Sequence, residues 1–252
     1  MWYRSINARL AVIGISAILV IGLTVSASAE QARRTRITEN DAPIPRDRFF
    51  LTYNYYANVA LEGGFSTGET SGGINNQRDT IGFEKTFFGA DVGLGVRVPI
   101  QPLLAAESSL LFGVKFRTYF GDENDPNQVL IHYGRDWMVM PYVGMPMAFV
   151  PPGQPPGQTV FVITPFAGPI FEHGTLAIFN NQGQASVTRH GVGVGINFDV
   201  MLPASGGYQP FLGFGGQFSA MQAVDEVIDG FNVRLEDKVE ARAVVRGGLI
   251  FR

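Results

Sequence analysis

Hydrophobic and polar positions alternate with a period of two in segment after segment of this chain. In residues 90–99 the apolar positions are Ala90, Val92, Leu94, Val96 and Val98, with Asp91, Gly93, Gly95 and Arg97 between them. In residues 191–202 Val192, Val194, Ile196, Phe198, Val200 and Leu202 alternate with Gly191, Gly193, Gly195, Asn197 and Asp199. A β-strand sends successive side chains to opposite faces, so each segment has one apolar face and one small or polar face. Nine strand-like segments follow from this reading: 48–59, 80–88, 90–99, 107–120, 136–149, 159–178, 186–202, 207–221 and 238–251.

Turn-rich pieces separate them. Residues 62–78 are mostly Gly, Ser, Thr and Asn, and further turns fall at 121–127, 151–157, 180–183, 203–207 and 225–230. Over the C-terminal two-thirds the connections alternate in character. Residues 121–135, 179–184 and 225–237 are polar and mostly long, while 101–106, 150–158 and 203–206 are shorter or proline-rich. Long outer loops and short inner turns are the asymmetry of a membrane-spanning barrel. Bacterial barrels use even strand numbers, so nine segments resolve to eight strands, or to ten if residues 128–133 form one more.

The first 29 residues read as a secretory signal. Arg4 and Arg9 precede an apolar run from Leu10 to Val25, and Ala27-Ser28-Ala29 is an A-x-A cleavage site that leaves Glu30 as the mature start. Residues 30–47 are polar, carry Pro43 and Pro45, and read as a flexible arm. The barrel is then expected over residues 48–252. No later stretch has the roughly 18 consecutive apolar residues of a transmembrane helix. A chain that is 46% hydrophobic must therefore place its apolar residues in strands or in a soluble core.

Loss of the leader takes the net charge from −3 to −5, and the basic residues form no block, so nucleic-acid binding has no electrostatic footprint. Cysteine is absent, which excludes disulfides and thiolate metal sites. The 31 glycines are spread through strands rather than gathered in a linker. A soluble barrel or β-sandwich would expose a face of Lys, Glu and Thr, whereas here the second face is Gly93, Gly95, Gly113, Gly191, Gly193, Gly195, Gly213 and Gly215 with scattered charges. Glycine offers water nothing but gives room in a narrow lumen, where a long Arg from another strand can cross it. Phe120, Trp137, Phe149, Phe171 and Phe251 sit near strand ends, as interfacial girdles do. The reading is an all-β, antiparallel transmembrane β-barrel with Val92, Leu94, Val96, Val194, Ile196 and Phe198 toward lipid.

The lumen is expected to hold Arg97, Lys115, Arg117, Arg189, Arg242 and Arg246 against Glu84, Asp91, Asp199 and Glu240. Such a set can pair and close a small barrel, or line a passive porin-like channel with a slight anion preference if the barrel is wider. A serine hydrolase would need a serine within hydrogen-bond reach of a histidine, with an orienting carboxylate or amide. His132, His173 and His190 are the histidines, with Ser186 and Ser219 nearest along the chain, and no spacing singles out a pair. His173 and His190 could meet across a hairpin, but a metal site lacks a third ligand. The runs Gly191–Gly195 and Gly213–Gly216 continue strands and open no helix, so they are not phosphate loops. No catalytic residue, metal or cofactor is expected.

The last strand places Ala241, Ala243, Val245, Gly247, Leu249 and Phe251 on one face. It resembles the terminal strand of bacterial outer-membrane proteins, whose final aromatic is recognised during assembly; here Arg252 follows Phe251. The segments Pro141-Tyr142-Val143-Gly144-Met145, Thr164-Pro165-Phe166-Ala167-Gly168 and Gln209-Pro210-Phe211-Leu212-Gly213 resemble strands of opacity-type surface antigens and small porin-like proteins. Residues 46–56 and 82–87 are similar to the start of other outer-membrane barrels. The resemblance implies the outer membrane of a diderm bacterium as location. It implies outer-membrane lipid and the barrel-assembly machinery as partners, and an extracellular ligand whose identity the sequence does not give. The expected protein is a monomer, either a non-enzymatic barrel with surface-exposed loops or a channel for small hydrophilic solutes.

Overall fold

The computed structural model describes residues 55–75, 77–98, 107–120, 131–149, 160–178, 183–204 and 207–251. The expected leader, the arm and the segment 48–54 lie outside the described residues. Eleven strands form one antiparallel sheet: β1 (Tyr55–Ile74), β2 (Gln77–Val98), β3 (Glu107–Phe120), β4 (Ile131–Gly144), β5 (Met147–Phe149), β6 (Val160–Ile178), β7 (Gln184–Met201), β8 (Tyr208–Met221), β9 (Val224–Ile228), β10 (Phe231–Leu235) and β11 (Lys238–Phe251). β11 returns to β1, from Ala57 opposite Phe251 to Glu69 opposite Val239, and closes the barrel. β5 continues β4 past a break at Met145 and Pro146, since both pair with β3 and with β6. The barrel wall therefore has eight strands, and β9 and β10 are an added hairpin.

Several boundaries differ from the sequence reading. Segments 80–88 and 90–99 are one strand, because Gly89 keeps the ladder and stands between Glu62 and Arg117. Residues 62–74 are strand rather than turn. Their serines, threonines and glycines carry no apolar period, but β1 stays paired with β2 up to Ile74 opposite Gln77. Asn75, at φ 47°, opens the reversal between them. Residues 131–133 are the top of β4 and not a tenth strand. The expected loop 225–237 contains β9 and β10 joined at Asp229 and Gly230, whose φ values of 49° and 84° are those of a tight type I′ hairpin turn.

Register assigns the faces. Val92 pairs with Val114 and Val59, and Phe218 pairs with Val194 and Ala241, all on the outer face. Leu94, Phe218 and Val245 are 66%, 63% and 69% exposed, whereas Lys115 and Arg117 are 0% exposed. Apolar outside and charged inside is the inverse of a soluble barrel and marks a membrane span. Along β1 the outer residues from Tyr55 to Phe65 are bounded by aromatics, and above them come Thr67, Glu69 and Ser71. Ten residues cover about 33 Å of strand, or about 25 Å of height at the usual barrel tilt. That matches the apolar band of an outer-membrane barrel, so the strand tops project beyond the lipid.

Above the band the wall divides. β3 ends at Phe120 opposite Thr86, and β8 ends at Met221 opposite Gly191. Among the described residues, the upper parts of β2, β1, β10 and β9 form one sheet and those of β4, β6 and β7 another. Ile131, Tyr133, Leu176, Ile178 and Val187 of the second sheet pack with Ile228, Val233 and Leu235 of the first. The barrel is thus capped by a small apolar sandwich of its own.

Candidate functional site

Among the described residues, charged groups converge in the lumen, and strand alternation puts them there. At mid-height β1 supplies Glu62, β2 Asp91, β3 Lys115 and Arg117, β7 Asp199 and β11 Arg246, each on the inward parity. Lys115 Nζ donates to Glu62 Oε1 at 2.5 Å and to Asp91 Oδ2 at 2.8 Å. Arg117 donates to Glu62 Oε2 through Nη2 at 2.7 Å and Nε at 3.1 Å, and to Gln217 Oε1 at 2.8 Å. Tyr142 donates to Asp91 Oδ1 at 2.7 Å, and Arg246 lies 3.3 Å from Asp91 and 3.5 Å from Asp199. Three carboxylates meet three cations, so this cluster is neutral as a unit.

A second cluster lies above it. Lys238 contacts Glu172 at 2.7 Å and Glu240 at 3.0 Å; Arg242 contacts Glu240 at 2.8 Å, and Arg135 contacts Glu240 at 2.8 Å. Tyr133 donates to Glu172, Arg135 donates to Ser66 Oγ, and Arg242 donates to Ser219 Oγ. Every one of these charged side chains is fully buried. Burial of so many ions is tolerable only with mutual pairing and saturated hydrogen bonding, which this geometry approaches.

Aromatic rings separate and seal the clusters. Arg117 stacks over Phe87 at 4.7 Å and Arg135 over Tyr119 at 4.4 Å, and the two rings meet edge to face. Tyr56, Leu111, Val160, Val162, Met201, Phe211 and Ile250 fill the lower end. A cavity of about 20 Å³ remains there beside Asn58, Asp199 and Arg246, room for roughly one water. Inward glycines make this filling possible, though chiefly for rings and less for arginines. Gly95, Gly113, Gly195 and Gly248 stand directly opposite Tyr56, Tyr142, Phe166 and Phe211 on the next strand, and a Cβ at any of them would run into that ring. Gly89, against Arg117, fits the arginine expectation.

Of the charged residues read as lumen-facing, Asp91, Lys115, Arg117, Arg189, Asp199, Glu240, Arg242 and Arg246 are buried on the inward face. Glu84 is not: it is exposed and pairs with Thr67 on the outer face above the lipid band. Asp91 and Glu84 lie seven residues apart on one continuous strand, so they cannot share a face; treating β2 as two strands hid this. Arg97 keeps the inward parity but is exposed at the lower rim. Glu62, Arg135, Glu172 and Lys238 belong to the clusters and escaped the reading, because Glu62 and Arg135 fell in segments read as loops and Lys238 stood at a strand edge. Extending the period-two pattern from Ala60 through Ser66 would have placed Glu62.

The histidines stand elsewhere. His132, His173 and His190 are on outward positions of β4, β6 and β7. His173 hydrogen-bonds Thr188 Oγ1 at 3.2 Å and stacks on Trp137 at 5.0 Å, and His190 meets Phe171 edge-on at 5.4 Å. Ser186 is exposed on the outer face, while Ser219 is buried and accepts from Arg242. The geometry brings no histidine to either serine. Among the described residues no three His, Asp or Glu side chains are arranged to hold a metal ion.

No protein-family model and no curated protein sequence matches the chain. Among solved structures it is similar to neisserial surface protein A, at 10% identity and TM-score 0.35 over 77% of this chain and 96% of that one. It is also similar to the outer membrane protease OmpT from Escherichia coli, at 9% identity and TM-score 0.42 over 79% and 96%. A third is Ail, the attachment invasion locus protein of Yersinia pestis, at 9% identity and TM-score 0.34 over 77% and 99%. The chain itself is a closed, eight-stranded antiparallel barrel with an apolar outer belt and a charged lumen.

Proposed function

We propose that this protein is a non-enzymatic, non-conducting monomeric barrel of the bacterial outer membrane that presents its upper sandwich and hairpins outside the cell. The observation that carries the reading is the occluded lumen. Two stacked ion-pair clusters, the Phe87–Tyr119 layer between them, and apolar layers above and below fill the section of the barrel. A channel needs a continuous wet path, and charges already satisfied by one another offer a solute no replacement for its hydration. The polar outer face above the lipid band supports surface presentation. Lipid surrounds the apolar belt, and the barrel-assembly machinery is the expected insertion partner.

Planar-bilayer recording on the purified, folded protein tests this. The expected record is silent at all voltages that the bilayer tolerates. Stable stepwise conductance whose size changes with Arg117→Ser or Arg242→Ser would establish the porin-like alternative.

A further inference from the structure

The β9–β10 hairpin is joined to the barrel differently from every other strand. Its inner residues Ile228, Val233 and Leu235 are buried against the tops of β4, β6 and β7. Its ladder to the rest of the molecule is three residues long, Leu235, Arg234 and Val233 opposite Gly72, Gly73 and Ile74 of β1. Along its other edge β9 runs beside β7 with no ladder between them among the described residues. That seam is fastened at its base, where Gln222 N–H donates to the His190 carbonyl at 2.8 Å, and at its top, where Gly183 packs against Ile228 and Asp229.

Two short connections, Gln222-Ala223 and Glu236-Asp237, flank the hairpin. Arg189 of β7, fully buried, reaches both of them. Its Nε donates to the Gln222 carbonyl at 3.2 Å and its Nη2 to the Glu236 carbonyl at 2.5 Å. Asp237 ties the connections to each other by accepting from Ala223 N–H at 2.8 Å, and Thr70 donates to the Glu236 carbonyl at 3.0 Å. One guanidinium thus clamps both hinges. Beyond it the unit is held by apolar contact, the three-residue ladder and, beside that ladder, the Asn75 N–H to Asn232 carbonyl bond at 3.3 Å. At the hinges, Glu236 N–H also donates to the Ser71 carbonyl at 2.7 Å, and Arg78 forms an exposed pair with Glu236.

We propose that β9–β10 is a lid on the outer mouth of the barrel, hinged at residues 222–223 and 236–237 and latched by Arg189, which opens as a unit while the wall stays closed. Elements with few ladder bonds to their surroundings open locally at lower free energy than the body of a fold. Opening bares the apolar floor of Ile131, Leu176 and Val187 to the outside. The ion-pair clusters beneath stay in place, so an open lid conducts nothing and the inference stands apart from the bilayer result.

Hydrogen exchange of the folded protein in lipid nanodiscs tests it. Backbone amides of Val224–Ile228 and Phe231–Leu235 are expected to exchange at least tenfold faster than those of β6 and β8 within the lipid band. Arg189→Met removes both latch bonds; loss of a charge-assisted bond predicts roughly tenfold or more further acceleration in the hairpin, with the wall unchanged. The chain has no cysteine, so Ile74→Cys with Val233→Cys gives a single cross-strand staple between residues directly opposite each other. Oxidised, the staple is expected to slow hairpin exchange to the rate of the wall, and reduction is expected to release it. Hairpin amides exchanging in step with the wall in the parent, or a formed staple without effect, would overturn the lid. The staple decides the matter even if Arg189→Met does not fold.

Discussion

Glu62→Gln is the most exacting test of the lumen. Both carboxylate oxygens are engaged, Oε1 by Lys115 and Oε2 by Arg117 through two nitrogens. A glutamine can present one oxygen only, so its amide NH₂ must point at one of the two cations. The neutral cluster of three carboxylates and three cations also gains an uncompensated positive charge in a site with no exposure to water. Removing one partner of a buried pair costs about 3–5 kcal/mol. Adding Lys115→Met restores neutrality and lets the amide turn away from Arg117. The double variant should therefore lose less than the sum of the single losses, by roughly 1–3 kcal/mol. Urea unfolding from lipid vesicles measures this, with Trp137 as the only tryptophan besides Trp2 and a fluorescent reporter at the edge of the lipid band. A Glu62→Gln barrel within about 0.5 kcal/mol of the parent, or strict additivity in the double variant, would refute the argument that the lumen is a dry, mutually compensating network.

Two further outcomes follow from the faces and the packing. Val194→Arg puts a charge on the lipid face near mid-height and should cost about 2–4 kcal/mol in vesicle refolding; Ser186→Arg, on the same outer face of β7 but above the band, should stay within about 0.5 kcal/mol, and equal costs would displace the band. Gly113→Val should cost about 1–3 kcal/mol by overpacking, read as a lower urea midpoint, because the Tyr142 ring covers Gly113 and its bond to Asp91 keeps it from moving aside; a neutral result would mean that the ring has room to shift.

The alternation of side chains determined much of this protein before any fold was considered. A period of two is a property of the extended backbone alone, so Val92, Leu94, Val194 and Ile196 could be set on one face and Asp91, Lys115 and Arg117 on the other from neighbours in sequence. The same local rule misplaced Glu84, because a face can be carried along a strand only if its continuity is known, and the ladder that keeps β2 unbroken through Gly89 is made with β1 and β3. Local composition likewise hid the upper half of β1, where pairing beyond the lipid, and no apolar period, holds the chain extended. In the β9–β10 hairpin Phe231, Val233 and Leu235 do alternate with Asn232 and Arg234, but the run is only five residues long. What the charges do was decided in three dimensions. Glu62 meets Lys115 across 53 residues and Arg135 meets Glu240 across 105, and those meetings depend on which strands face each other across the closed cylinder. Composition supplied the ions and the glycines. The register of eight strands determined that aromatic rings lie over the glycines, that the ions pair with one another, and that the lumen is filled.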